Sequence, residues 1–221
     1  MGVSMLPYLL PNSHLRQYKL RRIESKGDRW FVIQKKIRTP EQLLNYINTF
    51  KPTDVYQTIS YWLNPDKLST KKTAMPEYEG NKETLKEAKI KAFLGNLFIG
   101  SDYIMDFDDK DYAKGMEDSL DNVKLAKLAL NELGMNEFML MRTGRGYQLL
   151  VFDFNNWAKN GLKAVMPRDR EYAYLRRMKK LTEMLKAKGI KWDYGVSCDT
   201  RRICRVPNTL HNNGNMIQII K

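Results

Sequence analysis

Apolar residues in the second half of the chain recur with two different periods, which predict alternating strands and helices. Runs rich in aromatic and aliphatic residues predict strands over Tyr103–Asp108, 137–142 and 147–153. Apolar residues at helical spacing predict helices over 119–133 and about 168–188, each followed by a glycine that ends it. The second helix is expected to bury Tyr172, Leu175, Met178, Leu181 and Leu185. Residues 190–193, 202–206 and 216–220 can each supply a further short strand.

The order of these elements indicates the fold class. Strand, helix, hairpin, helix, strand is the order of a split β-α-β module, an antiparallel sheet that carries both helices on one face. We therefore predict an α+β protein in which residues 101–221 form such a module, similar to the RNA-recognition motif (RRM-like). The other face of the sheet is free to carry a site.

The first half of the chain gives weaker signals, apart from one helix. Residues 39–42 (Thr-Pro-Glu-Gln) have the cap, first-turn proline and reciprocal glutamine of a capping box, so a helix is predicted over 40–50. Residues 29–37 have the composition of a strand, 54–63 fit a strand or a helix, and the polar residues 68–86 fit a loop. We expect residues 1–100 to form an α/β unit packed on the second module rather than an independent domain.

The charge of the chain indicates which class of partner it binds. With 38 Lys and Arg against 25 Asp and Glu, the formal net charge is +13, which favours a polyanion bound through its phosphates. Nucleic acid is the leading candidate. A membrane is not expected, because no apolar run approaches the roughly 20 residues that span a bilayer and the first residues lack the pattern of a signal peptide. We expect a cytoplasmic protein.

Cysteine and histidine are too few for most metal or disulfide frameworks. The chain has two cysteines, Cys198 and Cys204, and two histidines, His14 and His211. Three of these four fall within one short stretch, but their spacing matches no usual zinc pattern. Two buried thiols beside a strand are the favoured interpretation, and no structural zinc is expected.

Candidate chemistry begins with two carboxylates on one predicted strand. Asp106 and Asp108 are two residues apart, so both point to one face while Phe107 points to the other. Two carboxylates held in this way can share Mg²⁺ or Mn²⁺, and metal pairs about 4 Å apart serve phosphoryl transfer. A solvated strand end explains the pair equally well.

The turn of the predicted hairpin offers phosphate-binding groups. Thr143 supplies a hydroxyl, Arg145 a guanidinium, and the glycines Gly144 and Gly146 allow backbone amides to approach a ligand. Such turns often serve only to reverse the chain.

A third segment lies after the second helix, in residues 192–211 (WDYGVSCDTRRICRVPNTLH). Asp193 offers another carboxylate, and Arg201, Arg202, Arg205 and His211 offer donors for phosphate. A solvated basic strand explains the charges but not the Pro-Asn-Thr-Leu-His turn after them.

Taken in this order, the three segments resemble the archaeo-eukaryotic primases, most closely the catalytic small subunit of archaeal DNA primase. That family has an Asp-x-Asp strand, a Ser-Gly-x-Arg-Gly-x-His hairpin, and a hydrophobic-Asp segment followed by an Arg-rich strand that ends in Pro-x-Ser-Leu-His. DFD, TGRGYQ and WDYGVSCDTRRICRVPNTLHNNG are similar to these motifs. The resemblance covers residues 103–214, about half of the chain.

The resemblance implies specific roles for these residues. Asp106, Asp108 and Asp193 would be the catalytic, metal-binding carboxylates of a site for two Mg²⁺ or Mn²⁺ ions. The nucleotide would be bound by Thr143, Gly144, Arg145, Gly146, Gln148, Arg202, Arg205 and His211, with its triphosphate on Arg145, Arg205 and His211.

The chain departs from the family pattern at two points. Gln148 stands where the hairpin histidine belongs, and an amide can donate a hydrogen bond to a phosphate but cannot carry a positive charge. Nucleotide binding is therefore expected to be weaker or altered. The small number of cysteines also excludes the zinc knuckle that the family usually carries, so the chain resembles a trimmed catalytic core.

The expected function is template-directed transfer of nucleotides with release of pyrophosphate, the reaction of a DNA primase or primase-polymerase. The expected partners are a single-stranded DNA template and nucleoside triphosphates, together with a large primase subunit or a helicase. Two alternatives remain: a catalytically impaired primase-like subunit that only binds nucleic acid, which Gln148 favours, and an RNA-recognition-like sheet that stacks bases on exposed aromatics.

Overall fold

The computed structural model describes residues 6–65, 98–108, 116–143, 146–160, 169–211 and 215–220, and for Asp108 and residues 116–118 the description covers the backbone. These residues form a mixed α+β protein with antiparallel sheets and several helices, as the sequence predicts. Within the described ranges, no helix is both long and apolar enough to cross a bilayer.

The first sheet combines residues from both ends of the chain. Its strands are β1 (Tyr18–Glu24), β2 (Gly27–Val32), β3 (Asp54–Thr58) and β9 (Ile203–Arg205), in the antiparallel order β2-β1-β3-β9. The predicted strand at 29–37 is thus the second half of a hairpin that begins earlier and ends at Val32. Residues 54–63, which fitted a strand or a helix, form strands.

The second sheet is built from the predicted hairpin and the strands around it. Its members are β6 (Tyr103–Asp108), β7 (Phe138–Arg142), β8 (Gly146–Val151) and β10 (Gln218–Ile220), in the antiparallel order β10-β7-β8-β6. A shorter pair, β4 (Ser60–Trp62) and β5 (Phe98–Ser101), lies beside them. The predicted boundaries of β6 are confirmed, and those of β7 and β8 are confirmed to within two residues.

Five α-helices are described: α1 (Pro40–Phe50), α2 (Met116–Glu132), α3 (Phe154–Lys159), α4 (Arg170–Ala187) and α5 (Tyr194–Ser197). The capping box predicted for α1 is present, since the Thr39 hydroxyl accepts a hydrogen bond from the Gln42 backbone and the Gln42 side-chain oxygen accepts one from the Thr39 backbone. Gly134 and Gly189 follow α2 and α4 with φ of 78°, a left-handed conformation that glycine adopts without strain.

The buried face of α4 differs from the prediction at one tyrosine. Met178, Leu181 and Leu185 are buried as expected and Leu175 is half-buried, but Tyr172 is 63% exposed and Tyr174 is buried in its place. Residues 174, 178, 181 and 185 follow the helical spacing of one stripe, whereas residue 172 is about 200° away from residue 174 around the helix axis. The prediction for Tyr172 was wrong because two aromatics so close in sequence cannot both face the core.

The strand predicted at residues 190–193 is also wrong. These residues form no ladder, and Asp193 instead caps the short helix α5, because its Oδ1 accepts a hydrogen bond of 3.0 Å from the Gly195 backbone. The segment nevertheless lies beside β6, since the Asp193 backbone donates to the Asp106 carbonyl over 2.8 Å.

Two hydrophobic clusters pack the sheets and helices against one another. The larger one joins residues from both halves of the chain, including Ile59 and Phe98 with Leu149 and Trp192. The smaller one lies between the first sheet and α1 and includes Val206 from the C-terminal part of the chain. Strand β9 therefore ties the C-terminal part of the chain to the N-terminal sheet, while the division near residue 100 stays a prediction.

A buried ion pair lies between the two sheets. Arg16 and Asp102 have fully buried side chains, 2.5 Å apart, and the hydroxyl of Tyr61 donates to the same carboxylate. Arg16 also donates to the carbonyls of Thr58 and Ile59. Burial lowers the pKa of the Arg16 guanidinium, but the charge and hydrogen bonds of Asp102 outweigh burial and raise that pKa above its ordinary value. Burial also raises the pKa of the Asp102 carboxyl, while the charge of Arg16 acts against that rise.

We predict that Asp102→Asn destabilises the fold by about 3–5 kcal/mol, because it leaves the Arg16 charge buried without a partner. The free energy of unfolding in urea measures the loss. Arg16→Met combined with Asp102→Leu should be less destabilised than Asp102→Asn alone, because no buried charge remains.

The matched control is Glu132→Gln, which breaks an exposed ion pair with Lys188 and should cost less than about 1 kcal/mol. Equal losses for Asp102→Asn and Glu132→Gln would contradict the structural role of the buried pair.

Candidate functional site

The centre of the candidate site is the pairing of β6 with β8. Asp106 lies opposite Gln148, and Asp108 lies opposite Gly146, so both pairs belong to the same face of the sheet. The amide Nε2 of Gln148 donates to Asp106 Oδ2 over 3.2 Å. Gln148 of the hairpin therefore contacts the Asp106 carboxylate across the β6–β8 pair.

The third motif meets the first through the backbone. The hydrogen bond from the Asp193 amide to the Asp106 carbonyl brings the two aspartates side by side, although 86 residues separate them in sequence. A second contact lies two residues earlier on β6, where the Ile104 carbonyl accepts a hydrogen bond from the hydroxyl of Ser197. Helix α5 is thus fixed along the edge of β6.

A buried tryptophan explains why this segment holds its place. Trp192 has no exposed surface, and its indole Nε1 donates to Ser197 Oγ over 2.7 Å. Its ring also packs edge-on against Tyr194 at 4.5 Å between centroids. Because the residues on both sides of it are anchored, Asp193 is held at the surface of this corner, half-buried.

The hairpin turn is described at its two ends. The Thr143 backbone donates to the Gly146 carbonyl over 3.0 Å, and the Thr143 hydroxyl donates to the same oxygen over 3.3 Å. Gly144 and Arg145 lie outside the described residues. Their proposed contacts with a triphosphate therefore stay predictions.

The arginines of the third motif belong to the first sheet. Arg205 lies in β9, where its Nη1 donates to Asp54 Oδ1 over 2.6 Å and to the Tyr56 hydroxyl over 3.1 Å. Arg202 precedes β9, and its carbonyl accepts from the Ile59 backbone. His211 is buried, 4% exposed, beyond the end of β9.

The structure therefore brings together Asp106, Gln148 and Asp193, with the backbone of Asp108 and Gly146 adjacent on β6 and β8. It also reveals Asp54, which sequence analysis missed. The Asp54 side chain has no exposed surface and pairs with Arg205 and, over 3.5 Å, with Arg21. Nothing in the sequence around it distinguishes this aspartate from one in a loop.

The chemistry of the donors suits a hard divalent cation. Carboxylate oxygens from Asp106 and Asp193 are the ligands that Mg²⁺ and Mn²⁺ prefer. Gln148 Oε1 is buried and lacks a hydrogen-bond donor among the described residues, so an ordered water of a bound cation would give it one. Among the described side chains, no three of His, Cys, Asp or Glu lie close enough together to hold a metal ion. The side chain of Asp108 is outside the described residues.

The two cysteines lie in different surroundings. Cys204 is buried in β9, and burial raises the pKa of its thiol to about 12. Cys198 is half-buried, 3.3 Å from the Thr182 hydroxyl. The expectation of two buried thiols is confirmed for Cys204. It is wrong for Cys198, which is only half-buried because it lies directly after the end of α5.

Comparison of the sequence with known protein families and with curated proteins found no match in either.

Proposed function

We propose that this protein is a template-directed nucleotidyltransferase of the primase-polymerase kind, dependent on Mg²⁺ or Mn²⁺. The observation that carries the proposal is the hydrogen bond between the Asp193 amide and the Asp106 carbonyl. It joins the first and third motifs of the resemblance, and Gln148 of the second motif donates to the same Asp106. Three segments distant in sequence thus meet at one point, which a chance resemblance has no reason to produce.

The architecture supports the same proposal. We take β6, α2, β7, β8 and α4 to be an RRM-like split module, since β6, β8 and β7 are adjacent and antiparallel. Thr182 of α4 is hydrogen-bonded over 2.7 Å to the hydroxyl of Tyr103, whose side chain is on the face opposite to Asp106. The helix therefore covers one face of β6 and leaves the carboxylates on the other.

In this proposal Asp106, Asp108 and Asp193 would hold the metal ions. Bound ions of this kind lower the pKa of an attacking hydroxyl and neutralise the charge of phosphates. The protein's own contribution is positioning. The Gln148 amide fixes one oxygen of Asp106, and the anchored Trp192 and Ser197 fix the backbone of Asp193. A 3′-hydroxyl of the growing strand would attack the α-phosphate of the nucleotide, and pyrophosphate would leave.

Arg205 is the described arginine proposed to bind the triphosphate. Its side chain is 18% exposed, and its guanidinium donates to the buried Asp54 carboxylate. A buried carboxylate that accepts from one edge of a guanidinium holds its other donors in a fixed direction. We propose that Asp54 positions Arg205 for a phosphate in this way.

The remaining partners of the proposal are a single-stranded DNA template, nucleoside triphosphates, and a large primase subunit or helicase, in the cytoplasm. The high positive charge of the chain supports the nucleic-acid partner.

The alternative function is a nucleic-acid-binding accessory subunit with reduced catalysis. The observation that favours it is the state of Gln148, whose donor is directed to Asp106 rather than outward to a ligand. Against it stand the carboxylates, because aspartates facing a polyanion repel it unless a cation lies between them.

Asp106→Asn combined with Asp108→Asn is expected to abolish nucleotide addition, because neutral amides bind Mg²⁺ and Mn²⁺ much more weakly than carboxylates do. Incorporation of labelled nucleotides on primed and unprimed single-stranded templates, with Mg²⁺ or Mn²⁺, measures it. Asp121→Asn is the matched control, since Asp121 is an exposed helix aspartate paired only with Lys124 in the described contacts, and should leave incorporation unchanged.

An intact protein that binds the template yet adds no nucleotide with either metal would contradict the enzyme and support the accessory subunit.

Gln148→His is expected to lower the KM for the nucleotide by about tenfold at pH 6, because a charged imidazole can donate to a phosphate. The gain should shrink as the pH rises through the pKa of the imidazole. Steady-state kinetics from pH 6 to 8 test this. Gln148→Met, which keeps the length of the side chain but removes its donor, should show no such pH dependence. A KM that is the same in all three proteins would mean that position 148 does not contact the nucleotide.

A further inference from the structure

One face of the first sheet is aromatic and basic, and the candidate site uses only its edge. Register places Lys19, Tyr56 and Arg205 in one row across β1, β3 and β9, and Trp30, Arg21 and Asp54 in the next row across β2, β1 and β3. Residues two apart on a strand share a face, so both rows lie on the same side. We call this surface the Trp30 face.

The opposite side of the sheet is the one that faces the core. Leu20, Val55 and Val206 are buried there against α1. The Trp30 face has no need of a large aromatic for packing, and Trp30 is 47% exposed. Its role must therefore be sought at the surface.

Trp30 rests on a second ring. Its centroid lies 5.5 Å from that of Tyr56, with the planes inclined by 34°, and Tyr56 itself is 9% exposed. Trp30 is thus supported from beneath and presents exposed ring surface to solvent. A ring held in this way can stack a planar group without first losing conformational freedom.

Cations surround the two rings. The guanidinium carbon of Arg21 lies 5.8 Å from the centroid of the Trp30 ring, and that of Arg205 lies 5.1 Å from that of Tyr56. The buried Asp54 carboxylate pairs with both guanidiniums, and Lys19 lies two residues before Arg21 on β1, in the row of Tyr56 and Arg205. Asp54 has no exposed surface, and Asp28, two residues before Trp30 on β2, pairs with Arg21 over 2.7 Å at the surface.

We propose that the Trp30 face binds a single strand of nucleic acid, with one base stacked on Trp30 and the neighbouring phosphates on Arg21 and Lys19. Alternation of stacking rings and cations is the usual means of holding single strands without reading their sequence. A duplex does not fit, because its bases are already stacked on one another. The inference rests on the proposed function in one respect, that the strand bound here is the template.

The position of the face agrees with that use. Strand β9 carries Arg205 on the Trp30 face and leads back, through Arg202 and Asp199, to the α5 segment that holds Asp193. Burial lowers the pKa of Lys19, and the charge of Asp199, on the same path, acts against that lowering. The β9 edge of the Trp30 face is therefore continuous along the chain with the segment that carries Asp193.

The test is binding of a labelled single-stranded oligonucleotide, measured by fluorescence anisotropy without nucleotide or metal. Trp30→Ala should weaken binding by roughly tenfold or more, and Trp30→Phe should retain most of it, because the ring and not the indole nitrogen provides the stacking. Leu128→Ala, at an apolar side chain of α2 that is 61% exposed, is the control and should bind as the unchanged protein does.

A second readout reports on the ring itself. Among the four tryptophans, Trp62 and Trp192 are buried, so Trp30 should contribute much of the emission that an added single strand quenches. Trp30→Phe should lose that share of the quenching while still binding. Arg21→Gln should reduce the dependence of the binding constant on salt, and Arg38→Gln, at an exposed arginine before α1, should not.

Unchanged affinity in Trp30→Ala would overturn the inference, as would equal binding of a duplex or equal displacement of the oligonucleotide by an acidic polypeptide. These outcomes are separable from failure of the proposed function. Because Asp106→Asn with Asp108→Asn removes the metal ligands and not the Trp30 face, that variant should bind the oligonucleotide at least as tightly as the unchanged protein does. If Trp30→Ala weakens binding in an inert protein, the surface is right and the enzyme is wrong. If the protein adds nucleotides but Trp30→Ala binds the oligonucleotide normally, the enzyme is right and the proposed surface is wrong.

Discussion

The hydrogen bond between the Asp193 amide and the Asp106 carbonyl is the constraint on which the candidate site depends. Without it, Asp106 is one carboxylate of an Asp-x-Asp strand end, a pattern that occurs often in proteins without a site. The bond is itself secured by the buried Trp192, whose indole holds Ser197, and by the hydroxyl of Ser197, which donates to β6. Hydrophobic burial of one large side chain thus fixes the position of a charged one nearby.

The same segment continues into β9 and so links the two sheets. Arg205 of this segment lies in the first sheet, where the buried Asp54 pairs with it and with Arg21 of β1 on one face. A carboxylate without exposed surface is costly unless it is paired, so these two arginines also keep Asp54 stable. The proposed triphosphate contact and the proposed single-strand surface therefore share one electrostatic anchor.

Sequence analysis succeeded where the signal is local. The capping box of α1, the strand Tyr103–Asp108 and the β7–β8 hairpin are specified by residues within a few positions of one another. It failed where a residue's place depends on distant partners. Residues 190–193 have strand composition, yet the Asp193 cap and the Trp192 anchor select a different conformation. Asp54 could not be found, since its partner Arg205 lies 151 residues away.

The most direct test of the account is Mn²⁺ binding, measured by electron paramagnetic resonance, in the unchanged protein and in Asp193→Asn. Asparagine caps a helix as well as aspartate does, so this change should keep α5 in place and remove only the charge. The account predicts that the protein binds Mn²⁺ and that Asp193→Asn, like Asp106→Asn, binds it far more weakly. Retention of Mn²⁺ by both variants, or its loss on blocking Cys198 instead, would contradict it.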